Sequence, residues 1–459
     1  MDKEITIDQA LQLAVKHHQE GNLIQADSIY KKILNKNPNN PDALHLSGLI
    51  LHQQGKHQEA IELLKKAIYI KPNIAIYHGN LAMAYQSLGN EEDSSIHFNK
   101  ALEIDPKYDN AHLANYNLGI DLAEKGKFSE AIKHYNKAIE LSPNIADSHW
   151  NKSLILLLRG EFKNAWANYE YRFKKQNPTD SREFGKSKWK GQHLNNRKIL
   201  IATEQGFGDS IQFIRYLPLV KEKGGHVIFE CKKELISLFN NFPGINQLVE
   251  KDNNIPLNVE YDYYIHLMSL PGIFNTTIKA IPNKIPYLKA NPSLQKNLSS
   301  KFQTDKLKIG IAWAGNPEQE NDKNRSATLD IFKPLKKIPN IRLFSLQVGK
   351  PSEQLNDPEI IDLSPHIKDF ADTATLIENL DLIISIDTSV AHLAGAMGKP
   401  TWVLLTKIPD WRWLLNRTDT PWYPTMKLFR QKIKGSWEPV ITEICSNIKT
   451  IKKIHRKSY

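Results

Sequence analysis

The pattern of residues predicts an α plus α/β molecule: an array of helix pairs over residues 1–178, then two successive units of parallel sheet and covering helices over 198–290 and 307–459. Three observations lead there. Glycines at 21, 55, 89, 126 and 160 recur at spacings of 34, 34, 37 and 34. From Lys198 onward, short apolar runs alternate with amphipathic stretches, the sign of β-α-β units. A polar break at Asn291–Lys306 divides that alternation into two rounds. The length agrees, because one hydrophobic core stops growing at roughly 250 residues and this chain has 459.

Around each of the five glycines the same unit returns. An apolar first helix precedes the turn. The second helix then carries a small residue (Ala26, Ala60, Ser94, Ala131, Ala165) followed by an aromatic residue or leucine (Tyr30, Leu64, Phe98, Tyr135, Tyr169). Small residues let two helices approach, the large one fills the gap beside them, and Pro38, Pro72, Pro106 and Pro143 end the second helices. A single pair cannot bury its apolar face, so neighbours must stack. Over residues 7–178 this pattern resembles the tetratricopeptide repeat family, in five units with a three-residue insertion near Tyr108–Ala111. The fifth unit departs most, with Arg172 where a small residue recurs and no proline until Pro178, which suits a capping unit facing the next domain. The resemblance implies a concave groove for a peptide or partner protein; a spacer or dimerisation surface is the alternative.

Residues 179–197 read as a linker, rich in Lys, Arg, Ser and Asn and interrupted by Gly185 and Gly191. Lys198–Tyr216 then reads as strand, glycine-containing loop and helix start. His226–Cys231 follows as a strand, Glu234–Phe239 as a helix and Tyr261–Leu267 as a strand. After a second linker at 291–306 the same grammar resumes. Lys308–Ala314 and Ile341–Leu346 read as strands, Phe370–Glu378 as a helix, and Leu382–Ile386 and Thr401–Leu405 as strands. Parallel sheets place ligands beyond the carboxyl ends of their strands, so a cleft between the two units is expected to hold the site.

Composition narrows the function. The net charge of +11 is uneven: residues 1–180 carry 21 Lys/Arg against 22 Asp/Glu, the remainder 40 against 28. A basic surplus suits a nucleic acid, a membrane surface or a phosphorylated small molecule; we assign it to the last and expect no nucleic-acid partner. Cys231 and Cys445 form neither a disulfide framework nor a zinc-ligand spacing. The first 30 residues lack the apolar core of a signal peptide, and no run reaches the roughly 20 apolar residues of a spanning helix. A cytoplasmic location without a transmembrane segment is expected. The chain has no Asp-x-Asp triplet, no P-loop, and no third glycine after Gly206-Phe-Gly-Asp, which counts against metal-dependent sugar transfer, P-loop hydrolysis and dinucleotide redox chemistry.

The segment Asp381–Leu405 carries the most chemistry. A buried strand delivers Asp387, Thr388 and Ser389 to a helix start, where backbone N–H groups offer an anion site for a pyrophosphate without a metal. His392 in the first turn can add a donor. The competing possibility is that Asp387 or Thr388 caps the helix and His392 packs inside. Asp387-Thr-Ser-Val-Ala-His-Leu-Ala resembles the donor-binding signature of ADP-heptose-type lipopolysaccharide heptosyltransferases, and residues 198–440 follow their layout, a GT-B pair of Rossmann-like domains.

That resemblance implies a glycosyltransferase. Gly208-Asp209 matches the family's Gly-Asp pair, which makes Asp209 the general base that deprotonates the acceptor hydroxyl; an N-cap of the following helix fits the residues equally well. In Asn321-Asp-Lys-Asn-Arg-Ser-Ala-Thr, after the Gly315-Asn316-Pro loop, Arg325 falls where the family places a lysine near the donor phosphates, and can clamp phosphate oxygens. The family's Trp-Pro pair is replaced by Ala327-Thr328, and its early arginine is absent, with Glu204-Gln205 nearby. Gln205, Gly208, Trp411 and Arg412 are candidates for acceptor contacts or stacking on a base or sugar. The implied donor is a nucleoside-diphosphate sugar, used as substrate, with no cofactor and no metal, and with inversion at the anomeric carbon. The repeats would recruit the acceptor, as domain order in the protein O-linked N-acetylglucosamine transferases suggests. An interaction scaffold with a non-catalytic nucleotide-sugar pocket is the alternative.

Overall fold

The computed structural model of the protein describes residues 5–252, 259–291, 299–318 and 322–455. It divides into two compact units that meet between Ile155 and Leu156.

The first unit is built of antiparallel helix pairs: Ile7–Gln19 with Leu23–Lys36, Pro41–Gln53 with His57–Ile70, Ala75–Ser87 with Glu91–Ile104, and Ala111–Glu124 with Phe128–Leu141. Helix Ala146–Leu158 crosses the boundary into the second unit. The recurring glycines sit just past each first helix with φ between +72° and +80°, a left-handed conformation that glycine adopts without the Cβ clash other residues pay. The small residues Ala26, Ala60, Ser94 and Ala131 are buried with Tyr30, Leu64, Phe98 and Tyr135. A second small position, on the first helices, escapes the sequence reading: Ala14, Gly48, Ala82 and Gly119. It receives the large side chain of the second helix, and a methyl added at Gly119 would lie 2.5 Å from the Tyr135 ring. Tyr108 in the three-residue insertion is buried against Gly79, where a methyl would meet its hydroxyl at 2.7 Å.

The second unit starts earlier than the expected boundary at residue 178. Helix Phe162–Tyr169, the second helix of the fifth repeat, belongs to it. Phe162, Trp166 and Tyr169 pack their rings on Trp411, 6.0–6.2 Å between centroids. The expected linker at 179–197 is likewise structured: Ser187–Lys188 is a strand and Trp189 is fully buried. Of the second expected linker, 292–298 lie outside the described residues.

Eleven strands are found among the described residues. They are β1 (Ser187–Lys188), β2 (Lys198–Ala202), β3 (His226–Cys231), β4 (Gln247–Glu250), β5 (Tyr263–His266), β6 (Leu307–Ala312), β7 (Ile341–Ser345), β8 (Ile360–Asp362), β9 (Leu382–Ile386), β10 (Thr401–Leu405) and β11 (Met426–Arg430). The first sheet has the order β1-β5-β2-β3-β4 and the second β11-β10-β9-β6-β7-β8, with every pairing parallel. Strands β1, β4, β8 and β11 escape the sequence reading. The second sheet is doubly wound: the chain runs outward from β6 to β8, returns beside β6 as β9, and continues to β11. Such a reversal opens a crevice beyond the strand ends, here between β6 and β9. Covered on both faces, β9 is buried along its whole length, as central strands of parallel sheets are.

Candidate functional site

A cleft of about 1060 Å³ lies between the two sheets. Its walls come from the carboxyl ends of strands on both sides. The loop after β2 gives Glu204–Asp209, and Lys232 follows β3; opposite them stand Ala314–Glu318 after β6, Leu346–Lys350 after β7, Asp387–Val390 and His392 after β9, and Asp410 and Arg412 after β10. The helix Phe207–Phe213, whose first turn contains Gly208-Asp209, packs on helix Ser389–Ala396. The closest approach is at Gly208, where an added methyl would lie 2.8 Å from His392 Cδ2.

On the second sheet's side, Thr388 is the N-cap residue of helix Ser389–Ala396, yet its side chain does not cap it. Its hydroxyl pairs with Ser385 Oγ at 2.9 Å instead. The first-turn N–H groups are thereby left for another acceptor at the cleft. His392 is held on three sides: Nδ1 is 3.0 Å from the Tyr423 hydroxyl, the ring stacks on Trp413 at 5.1 Å, and Nε2 is 3.8 Å from Asp387 Oδ1. Burial, then the charges of Arg412, Arg215 and Arg325, hold its pKa well below the ordinary histidine value. At neutral pH the imidazole is therefore uncharged. Burial also pushes the Asp387 carboxyl up to about 6, with the charge of Asp410 adding and those of Arg325 and Arg412 opposing.

Gly315 lets the loop after β6 close on Arg325. A methyl there would sit 2.3 Å from Asp322 Oδ1 and 2.6 Å from Arg325 Nη2. Asp322 binds Arg325 Nε at 3.1 Å and Ser326 Oγ at 2.8 Å, and Ser326 Oγ accepts from the Gly315 N–H at 2.9 Å. Asn316 lines the cleft and accepts from the Glu318 N–H at 3.2 Å. Asn321, the first residue of that motif, lies outside the described residues.

On the first sheet's side, Asp209 stands at the third position of helix Phe207–Phe213, whose N-cap is Gly206 rather than Asp209. One carboxylate oxygen accepts the Gly206 N–H at 2.8 Å, closing the helix start, and the other pairs with Arg412. Gln205 donates to the Tyr169 hydroxyl at 3.2 Å. Arg412 reaches Asp410 Oδ1 at 2.8 Å as well as Asp209, so it spans the cleft. One expectation is corrected: Trp411 does not line the cleft and cannot stack on a ligand there. It is 4% exposed and sits in the aromatic cluster with Phe162, Trp166, Tyr169, Phe213 and Trp422. The aromatic rings on the cleft wall are Phe207 and Phe370, 5.0 Å between centroids, while the buried Trp413 backs His392. Asp410 and Lys232 escape the sequence reading; Asp410 stands directly before Trp411 and Arg412, and Lys232 carries no motif. Among the described residues, no three His, Cys, Asp or Glu side chains converge as a metal-ion cluster would, and no helix is long and apolar enough to cross a membrane.

Tetratricopeptide repeat family models match residues 39–107, 73–144 and 116–181. The helical array consists of tetratricopeptide repeats. No glycosyltransferase family model is among the matches. Protein FlbA of Caulobacter vibrioides is 24% identical over 430 residues, spanning 87% of this chain and 71% of that protein. The inactive TPR repeat-containing thioredoxin TTL3 of Arabidopsis thaliana is 33% identical over 94 residues, 20% of this chain and 14% of that protein. Among solved structures, MamA (24% identity, TM-score 0.31) covers 34% of this chain and 91% of its own. YrrB, described as a TPR protein with an unusual peptide-binding site, is 18% identical with a TM-score of 0.32, over 37% of this chain and 87% of its own. The likeness to FlbA thus extends through both the repeats and the paired sheets.

Proposed function

We propose that this protein transfers a sugar from a nucleoside-diphosphate sugar to an acceptor recruited by its repeats. One observation carries the reading: two parallel sheets turn their strand ends to one cleft, with Asp209 and the Thr388–His392 turn on its two walls. The first-turn amides of helix Ser389–Ala396, with Arg325, would hold the diphosphate. In the tautomer whose Nδ1 accepts from the Tyr423 hydroxyl, His392 would offer its Nε2–H to the sugar or phosphate. Asp209 would take the proton of the acceptor hydroxyl as its oxygen attacks the anomeric carbon. The bond from that carbon to the phosphate oxygen breaks with its electron pair leaving on the nucleoside diphosphate, and attack opposite the leaving group inverts the centre. The charge that develops on the diphosphate would be met by the helix amides and Arg325. Asn316 and Gly315 shape the donor side and Gln205 and Gly208 the acceptor side, and a metal has no part in this scheme. The acceptor we favour is a protein, because repeats of this kind present a groove to peptides.

A thermal-shift screen of nucleoside diphosphates and nucleotide sugars tests the reading. A ligand at 100 times its dissociation constant is expected to stabilise the fold by about 2.7 kcal/mol. No shift with any of them would leave the interaction scaffold as the better account. With the stabilising donor and an acceptor identified by mass spectrometry, Asp209→Asn is expected to abolish turnover; unchanged turnover excludes Asp209 as the base.

A further inference from the structure

Arg412 occupies a position for which a bound diphosphate and the base would compete. It leaves the turn Trp411–Trp413 after β10, is 7% exposed, and lies over the Trp411 ring at 4.6 Å and the Phe213 ring at 5.7 Å. Nη2 pairs with Asp209 and lies 3.5 Å from Gln205 Oε1, while Nη1 is 2.8 Å from Asp410 Oδ1. Nε, although buried, finds no acceptor among the described residues. Burial opposes the charge, but Asp209 and Asp410 outweigh it and the pKa ends above the ordinary arginine value. The side chain is therefore a permanent cation. Its field reaches Asp387 and His392, on the turn where the helix amides are left uncapped.

We infer that Arg412 is a two-position arm that exchanges its pairing with Asp209 for the donor diphosphate, so that donor binding unmasks the base. The inference rests on the reading of the cleft as a nucleotide-sugar site. While the pair holds, the Asp209 oxygen facing Arg412 is closed to an acceptor hydroxyl. A diphosphate offers more negative charge than one carboxylate and accepts bidentate donation, which also gives the idle Nε a partner. The Trp411 and Phe213 rings against it keep the guanidinium in the cleft wall as it changes partner. The consequence is an order of events: the donor binds first, and only then is Asp209 free to take the acceptor's proton.

The test is calorimetric titration of the full chain with inorganic pyrophosphate, which presents the diphosphate alone. In Asp209→Asn the arm keeps Asp410 but has lost the charged partner that holds it across the cleft, while the amide oxygen can still accept the Gly206 N–H, so the fold is retained. The dissociation constant is expected to fall about tenfold, the worth of one charge-assisted hydrogen bond. In an Arg412→Gln background the same change is expected to bring no gain. Glu234→Gln removes a carboxylate from the cleft wall without touching the Arg412 pair, and is expected to bring a much smaller gain. Pyrophosphate binding that Asp209→Asn leaves unchanged or weakens overturns the switch alone. So does a gain that persists without Arg412, or one that Glu234→Gln matches. No binding to any variant overturns the switch and the donor site together.

Discussion

Buried at the end of β9 with Asp410 adding its charge, the Asp387 carboxyl titrates near 6 rather than at its ordinary 3.8. The folded chain thus holds this proton more tightly than the unfolded chain. Its contribution to stability is complete below pH 3.8 and is lost as the pH rises through about 6. Asp387→Asn, which cannot ionise, is expected to lie close to the parent protein at pH 4 and to exceed it at pH 8 by on the order of 3 kcal/mol, read from thermal melts across that range. A second consequence concerns ligand charge. A nucleotide sugar, whose diphosphate does not titrate here, is expected to bind several-fold more tightly at pH 5 than at pH 8, and Asp387→Asn to flatten that dependence. Asp387, Thr388, Ser389, His392 and Asp209 were legible as candidates because each stands in a short motif at a strand end. The protonation of Asp387 and His392 was not legible, because it depends first on burial and then on charges supplied by residues of other segments, Arg412 and Arg325 among them.

Two helix starts meet at the cleft, and their approach depends on Gly208. His392 cannot yield to a methyl there, since Trp413 backs its ring and Tyr423 holds Nδ1. Gly208→Ala is expected to destabilise the second unit by about 1–3 kcal/mol and to weaken donor binding, both read by thermal shift with and without ligand. A second joint lies after helix Phe162–Tyr169. Arg172 is fully buried and donates to Glu204 Oε1 at 2.9 Å, to Ser269 Oγ at 2.8 Å, and to Glu170 Oε1 at 2.7 Å. Burial opposes its charge, but Glu204 and Glu170 outweigh that cost and it stays ionised. Arg172→Met strands Glu204 without its cation and is expected to cost about 3–5 kcal/mol, whereas the Arg172→Met, Glu204→Met double variant recovers part of that loss in chemical denaturation. Arg172 was visible in the sequence only as a breach of the repeat pattern. A local pattern records that a small residue is missing; the carboxylates that justify the arginine are 32 residues away at Glu204 and two away at Glu170.

For the molecule as a whole, the fifth repeat's second helix is part of the sheet-bearing unit, through Trp166, Tyr169 and Arg172. A chain cut to residues 146–459 is expected to fold and keep nucleotide binding, while one cut to 179–459 loses both, as solubility, circular dichroism and ligand-induced thermal shift would record. The division drawn at residue 178 follows the repeat period, which ends there; the packing division at residue 155 follows burial, which the period does not encode. The array itself was readable because every repeat states the same local requirement: glycine at a left-handed turn, small beside large on the facing helices. Long strands such as β2 and β9 were readable for a similar reason, their apolar runs being local. Short edge strands were not, since β4 and β8 carry too few residues to stand out and owe their conformation to the neighbour they pair with. Residues alone thus specified the helix pairs, the longer strands and the strand-end motifs, all properties of chain segments. The pairing of Asp209 with Arg412, 203 positions apart, and the withdrawal of Trp411 into a core needed the docking of two sheets and a helix, because charge and burial depend on which distant surfaces exclude water together.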